Sequence, residues 1–89
     1  MLTIMRTRKV ALAFGRVLRE ARLQKGISQD DLASLCDFDR TYPSLLERGL
    51  RSPTLAMVFR LSDALELNPT HLVTKTYDEL RRQNARQAS

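Results

Sequence analysis

The stretch GISQDDLASLCDFDRTYPSLLERGLRSPTL, residues 26–55, decides the fold of this chain. Gly26 suits the left-handed residue that closes a helix. Ser28 can cap the start of the next one, with Asp31 three residues on as a variant of the capping box. Leu32, Ala33 and Cys36 then share one helical face. That helix ends near Cys36, and Asp37 and Phe38 form a short turn. Asp39 is a good N-cap for a third helix running to about Arg48, where Gly49 ends it. Pro43 falls inside this segment. In a helix interior it would cost about 3 kcal/mol, but in a first turn its missing N–H matters little, so the helix should survive with a shifted start. Two short helices around a turn of about three or four residues make a helix-turn-helix.

Working outward, Phe14, Leu18 and Ala21 recur at helical spacing and predict a first helix over roughly 10–24. A fourth starts after Pro53 with Thr54 as cap and carries Leu55, Val58, Leu61 and Leu65 as its apolar stripe. A fifth follows Asn68-Pro69, an N-cap with proline at the first helical position. It carries Leu72, Val73, Tyr77 and Leu80 before the polar run RRQNARQAS. No alternating run rich in Val, Ile and Thr suggests a strand. The expectation is an all-α domain of five helices over residues 10–80, with a basic N-terminal arm at 1–9 and a polar, basic tail at 81–89. No repeat or internal linker interrupts it.

The 89 residues are one domain's worth, and the formal net charge is +5. Residues 1–25 hold Arg6, Arg8, Lys9, Arg16, Arg19, Arg22 and Lys25 against Glu20 alone, and the tail adds Arg81, Arg82 and Arg86. Basic ends suit a polyanionic partner, or are simply solvated. Cys36 is the single cysteine, so no internal disulfide forms, and with His71 it makes no metal site. Cys36 reads as core and His71 as surface. A reducing cytoplasm is expected, with no signal peptide and no membrane span. Cys36 and His71 lie in different elements, and no Gly-rich phosphate loop occurs. We therefore expect no enzyme, cofactor, metal or small-molecule ligand.

Residues 12–73 resemble the phage repressor/Cro helix-turn-helix family. The matching positions are Gly26, Ile27, Ser28, Gln29, Leu32, Ala33, Glu47, Arg48, Gly49 and Pro53. Three departures stand out: Asp37 replaces the turn glycine, Glu66 a second glycine after the fourth helix, and Pro43 a branched aliphatic residue in the recognition helix. Asp37 tolerates a left-handed conformation, whereas Pro43 affects the start and tilt of its helix. The resemblance implies sequence-specific binding to double-stranded DNA as a transcriptional regulator, with residues of about 39–48 in the major groove.

Pro43 and Leu46 can form the inner face of that helix, leaving Arg40, Thr41, Tyr42 and Leu45 outward as base contacts. Arg40 can make paired bonds to guanine, and Thr41 can bond a base or a phosphate. Tyr42 and Leu45 have a second reading, packing against the second helix. Gln29 and Ser28 at the start of the second helix suit a phosphate, and Ser44, Arg48 and Arg51 are further phosphate candidates. Ser44 can also be a small residue that lets helices approach. The resemblance also implies a partly buried ion pair between Arg22 and Glu47.

One helix reads few base pairs, so a homodimer on a pseudo-palindromic operator is expected. Phe59, Leu67, Val73, Tyr77 and Leu80 are candidates for its interface; in the alternative, Phe59, Leu67 and Val73 belong to the core. Stand-alone regulators of this kind include Cro-like repressors, antitoxin-type autoregulators and controller proteins of restriction-modification systems. The run Asp39-Arg40-Thr41-Tyr42 looks like some controllers. A protein-interaction module, such as an antitoxin-type partner with only weak DNA binding, is the other reading.

Overall fold

A computed structural model describes residues 2–88, with side chains for residues 7–85. Among them are five helices and no strand: α1 (Leu2–Lys25), α2 (Gln29–Cys36), α3 (Tyr42–Glu47), α4 (Leu55–Leu65) and α5 (Pro69–Ala88).

The local signals act where their chemistry dictates. Ser28 Oγ accepts the Asp31 N–H at 3.0 Å, and the Asp31 carboxylate accepts the Ser28 N–H at 3.1 Å, closing the capping box of α2. Thr54 accepts the Met57 N–H at the start of α4. Asn68 accepts the Thr70 N–H at the start of α5. Asp37 and Glu66 end α2 and α4 in the left-handed conformation, with φ of 56° and 58°.

Helix boundaries differ from the expectation in three places. α1 begins at Leu2 rather than near Val10, and α5 continues to Ala88, so residues read as arm and tail lengthen these helices. Neither segment contains a proline or a glycine to stop a helix. The side chains of Arg6 and Arg86 lie outside the described residues. α3 begins at Tyr42, and Asp39 is not its cap. Pro43 is confined to the first turn, so the helix starts immediately ahead of it. The residue before it, Thr41, makes no side-chain cap bond.

The core is built from one fully buried leucine per helix: Leu18, Leu32, Leu46, Leu61 and Leu72. Phe14, Cys36, Val58 and Leu65 fill the space around them. Burial pushes the Cys36 thiol up from its ordinary range, which keeps it neutral. Leu55 does not join this core. It is 65% exposed, because as the first residue of α4 it projects past the end of the core. α5 packs antiparallel along α1, with His71 beside Gln24 and Leu80 beside Val10.

Gly15 in the middle of α1 lies against α3. A Cβ there would come within 2.5 Å of the carbonyl oxygens of Leu46 and Glu47. Helix propensity alone favours alanine over glycine by roughly 0.5–1 kcal/mol. Here packing opposes propensity, because the neighbouring atoms are backbone. We expect Gly15→Ala to destabilise by about 1–3 kcal/mol, read as a lower thermal midpoint. A midpoint at or above the wild type would show that α1 and α3 are not in this close contact.

Candidate nucleic-acid interface

The helix-turn-helix is held by a buried ion pair. The Arg22 Nε donates to Glu47 Oε2 at 2.6 Å and Nη2 to Oε1 at 3.1 Å, in the paired geometry that suits a guanidinium and a carboxylate. Their side chains are 9% and 3% exposed. Arg22 Nη1 also donates to the Ile27 carbonyl at 2.9 Å, and the Gln29 amide donates to Glu47 Oε1 at 3.1 Å. One cluster therefore ties α1, the α1–α2 turn, α2 and α3 together. The bonds it donates to Glu47 raise the Arg22 pKa, against the effect of burial.

Pro43 and Leu46 are buried, which fixes the outward face of α3. Arg40 and Thr41 lie in the turn before the helix, and both are exposed. Arg40 reaches back to α2, donating from Nε and Nη2 to the two carboxylate oxygens of Asp30 at 3.2 and 3.0 Å. Thr41 Oγ1 donates to the Asp39 carboxylate at 2.8 Å. Leu45 is half-buried.

Tyr42 is half-buried, packed on the α2–α3 turn and α4 rather than against α2. Its ring meets Phe38 edge-on at 5.0 Å between centroids, and its hydroxyl donates to Met57 Sδ at 2.6 Å. Phe38 in turn lies under the guanidinium of Arg60, 5.9 Å from the ring centre. Desolvation raises the Tyr42 phenol pKa, while the charge of Arg51 works in the opposite direction.

Phosphate candidates fall into two groups. Arg48 and Arg51, at and just after the end of α3, are exposed, and Ser44 is half-buried on the helix. Arg48 Nε donates to the Ser44 carbonyl at 3.4 Å, and Ser28 and Gln29 have side-chain partners in Asp31 and Glu47. The first turn of α2 also carries Asp30 and Asp31, whose charges oppose an incoming phosphate there. Asp30 is a feature that motif reading missed. Its signal was its place in the first turn of α2, facing the turn that carries Arg40.

The expected dimer candidates also divide. Phe59, Val73 and Tyr77 are 48%, 54% and 58% exposed. Leu67 instead packs against the core, because the chain turns inward between α4 and α5 at that residue. Leu80 is half-buried and lines an apolar groove of about 300 Å³ with Val10, Val73 and Tyr77. Leu55, one helical turn before Phe59, extends the exposed apolar surface on α4.

With this geometry, the molecule is a small all-α domain whose two central helices form a helix-turn-helix. Residues 18–72 match the helix-turn-helix family, and the chain belongs to it as a DNA-binding transcriptional regulator of the Cro/C1 type. It is 41% identical over 71 residues to the control protein C.BamHI of Bacillus amyloliquefaciens, a match spanning 79% of this chain and 88% of that one. The fold is similar to the restriction-modification controller protein C.AhdI from Aeromonas hydrophila, with a TM-score of 0.68 and 42% identity over 70% of this chain and 94% of that one. It is also similar to the controller protein C.Esp1396I, solved as a tetramer with its natural 35 base-pair operator. There the TM-score is 0.72 and the identity 30%, over 80% of this chain and 93% of that one.

Glu47→Ala would leave the Arg22 guanidinium buried without its counter-charge. We expect a loss of about 3–5 kcal/mol, measured by urea unfolding; an unchanged midpoint would show that the pair is not buried in solution. The capping box has a pH signature. The Ser28 bonds hold the Asp31 pKa below its ordinary value of 3.8. That contribution is present above the unfolded-state value and is lost as pH falls through the lower folded-state value. Asp31→Asn should therefore flatten the stability curve below about pH 4; a curve identical to that of the wild type would count against the bond.

Proposed function

We propose that this chain regulates transcription from a specific operator as a homodimer of the controller type, acting in the cytoplasm. The observation that carries this reading is the turn before α3. It presents Arg40 and Thr41 to solvent on a frame locked by the buried Arg22–Glu47 pair. The C.BamHI and C.AhdI relatives, both controllers by name, support the biological setting.

In this reading Arg40 and Thr41 meet base edges, Leu45 contributes apolar contact, and Tyr42 joins them by exchanging its bond to Met57. Arg48, Arg51 and Ser44 meet phosphates. Ser28 and Gln29 reach the backbone with donors their internal bonds leave over: the Ser28 Oγ accepts from Asp31 and keeps its O–H, and the Gln29 amide has a second N–H beside the one on Glu47. Phosphate contacts set position and affinity, while base contacts set specificity. Asp30 holds the Arg40 guanidinium through two bonds, which orders a long side chain before DNA arrives. The exposed apolar surface of Phe59, Val73 and Tyr77 is the material for the second copy. Pairing would place two recognition helices about 34 Å apart on successive major grooves.

Selection from random duplex DNA at near-physiological salt tests this reading. The wild type should enrich a pseudo-palindrome whose half-sites lie about one helical turn apart. Arg40→Ala should lose about one to two orders of magnitude of preference at one base in each half-site. A wild-type pool without enrichment would overturn the operator-binding reading, and a single unpaired half-site would overturn the dimer.

A further inference from the structure

We propose that Arg8 on α1 and Arg51 in the α3–α4 loop form a second DNA-backbone site, a two-arginine clamp for a phosphate at the edge of the groove that α3 enters. This inference rests on the operator-binding reading above and extends its footprint to the start of the chain.

The two residues line one groove of about 380 Å³. Thr7, Arg8 and Ala11 form its α1 side, and Gly49, Leu50, Arg51 and Ser52 form the other. No carboxylate lines the groove, and among the described residues neither arginine is in an ion pair. Two guanidiniums facing one space repel each other, and an anion between them removes the repulsion. Guanidinium geometry fits a phosphate through paired N–H donors. Gly49, at a φ of 72°, lets the α3–α4 loop lie against α1, since a Cβ there would come within 2.9 Å of Leu12 Cα. Leu50, 51% exposed, offers an apolar surface suited to deoxyribose.

The position of the groove selects DNA as the source of the phosphate. α3 has six residues and is therefore about 9 Å long, against a major groove about 12 Å wide. The loop immediately after α3 meets the strand that borders the groove. Arg51 lies three residues after Arg48, the C-cap of α3, and lines the groove with Arg8, so it joins the end of the recognition helix to the start of α1. Arg8 lies ahead of the family-matching stretch, residues 18–72. It sits in the part of α1 that the repressor motif does not include.

The salt dependence of binding reads this contact directly, because each neutralised phosphate adds about 0.9 to the slope of log affinity against log salt. The full-length wild type, Arg8→Ala and Lys75→Ala would be titrated against the duplex enriched by selection. The same proteins would be titrated against a random duplex of equal length. Lys75→Ala removes the same charge from α5, beside His71 and away from the groove. Circular dichroism checks that each variant is folded; Arg8 is exposed, so its removal leaves the core intact.

We expect Arg8→Ala to lower the slope by less than about 0.9 per subunit, since Arg51 still meets the phosphate, and the double variant Arg8→Ala/Arg51→Ala, titrated alongside, to lower it by about 0.9 on both duplexes, with the order of preferred bases unchanged for Arg8→Ala and Lys75→Ala matching the wild type. A slope for Arg8→Ala equal to that of Lys75→Ala would overturn the clamp. So would an altered base preference, which would make Arg8 a base reader. These failures differ from failure of the parent reading, in which the wild type itself selects no operator. Should no duplex be enriched, the random duplex alone still gives the slope comparison.

Discussion

The paired bonds between Arg22 and Glu47 are the constraint on which this molecule depends. α3 has only six residues, too few to hold its own orientation. Its inner face contributes two buried residues, Pro43 and Leu46. The Glu47 carboxylate supplies a directional tie that apolar burial lacks, fixing the end of α3 to α1 and, through Gln29, to α2. Gly15 completes the arrangement by letting the α3 carbonyls approach the α1 backbone. A buried pair of this kind is not an economical source of stability, since desolvation offsets much of its attraction. Its value here is placement: the turn carrying Arg40 and Thr41 leaves the domain at a defined angle.

The chain tolerates two non-glycine left-handed residues where its family commonly has glycine. At Asp37 the backbone N–H bonds back to α2, and the next amide, from Phe38, bonds to Ala33. At Glu66 the same pattern closes α4, and the side chain pairs with Lys25 at the end of α1. The backbone bonds of the cap offset the left-handed strain, so the turns keep their geometry without glycine. Pro43 works similarly within α3. It shortens the helix but supplies the φ that a first turn requires and an apolar ring for the core.

Charge is organised around the same frame. Asp30 and Asp31 occupy the start of α2, one holding Arg40 and the other the Ser28 amide. Among the described residues, Arg48 and Arg51 after α3 and Arg8 in the early part of α1 are in no ion pair. Arg40 is thus held by Asp30 ahead of α3, whereas Arg48 and Arg51 follow its end without a carboxylate partner. α4 and α5 expose Phe59, Val73 and Tyr77, and the apolar groove of Val73 and Tyr77 adjoins the basic groove of Arg8 and Arg51, the two sharing Ala11 and Ser52.

The sequence by itself determined the five helices, the inward residues Leu32, Ala33, Cys36 and Leu46, and the caps at Ser28, Thr54 and Asn68. Those features act between residues a few positions apart, so spacing and side-chain chemistry are enough to read them. The family resemblance added the Arg22–Glu47 pairing, which no local pattern shows. Only the tertiary structure decided that α3 starts at Tyr42, that Tyr42 rests on Phe38 and Met57, and that Leu67 is packed while Leu55 is not. It alone brought Asp30 to Arg40, Gly15 to the carbonyls of α3, and Arg8 to Arg51. The start of α3 follows from the neighbouring Pro43 and the Phe38 contact is local, but the others depend on separate elements meeting in space. Burial and pairing are set by the neighbours a residue acquires when helices dock, and a helical repeat specifies which face turns inward but not what lies opposite.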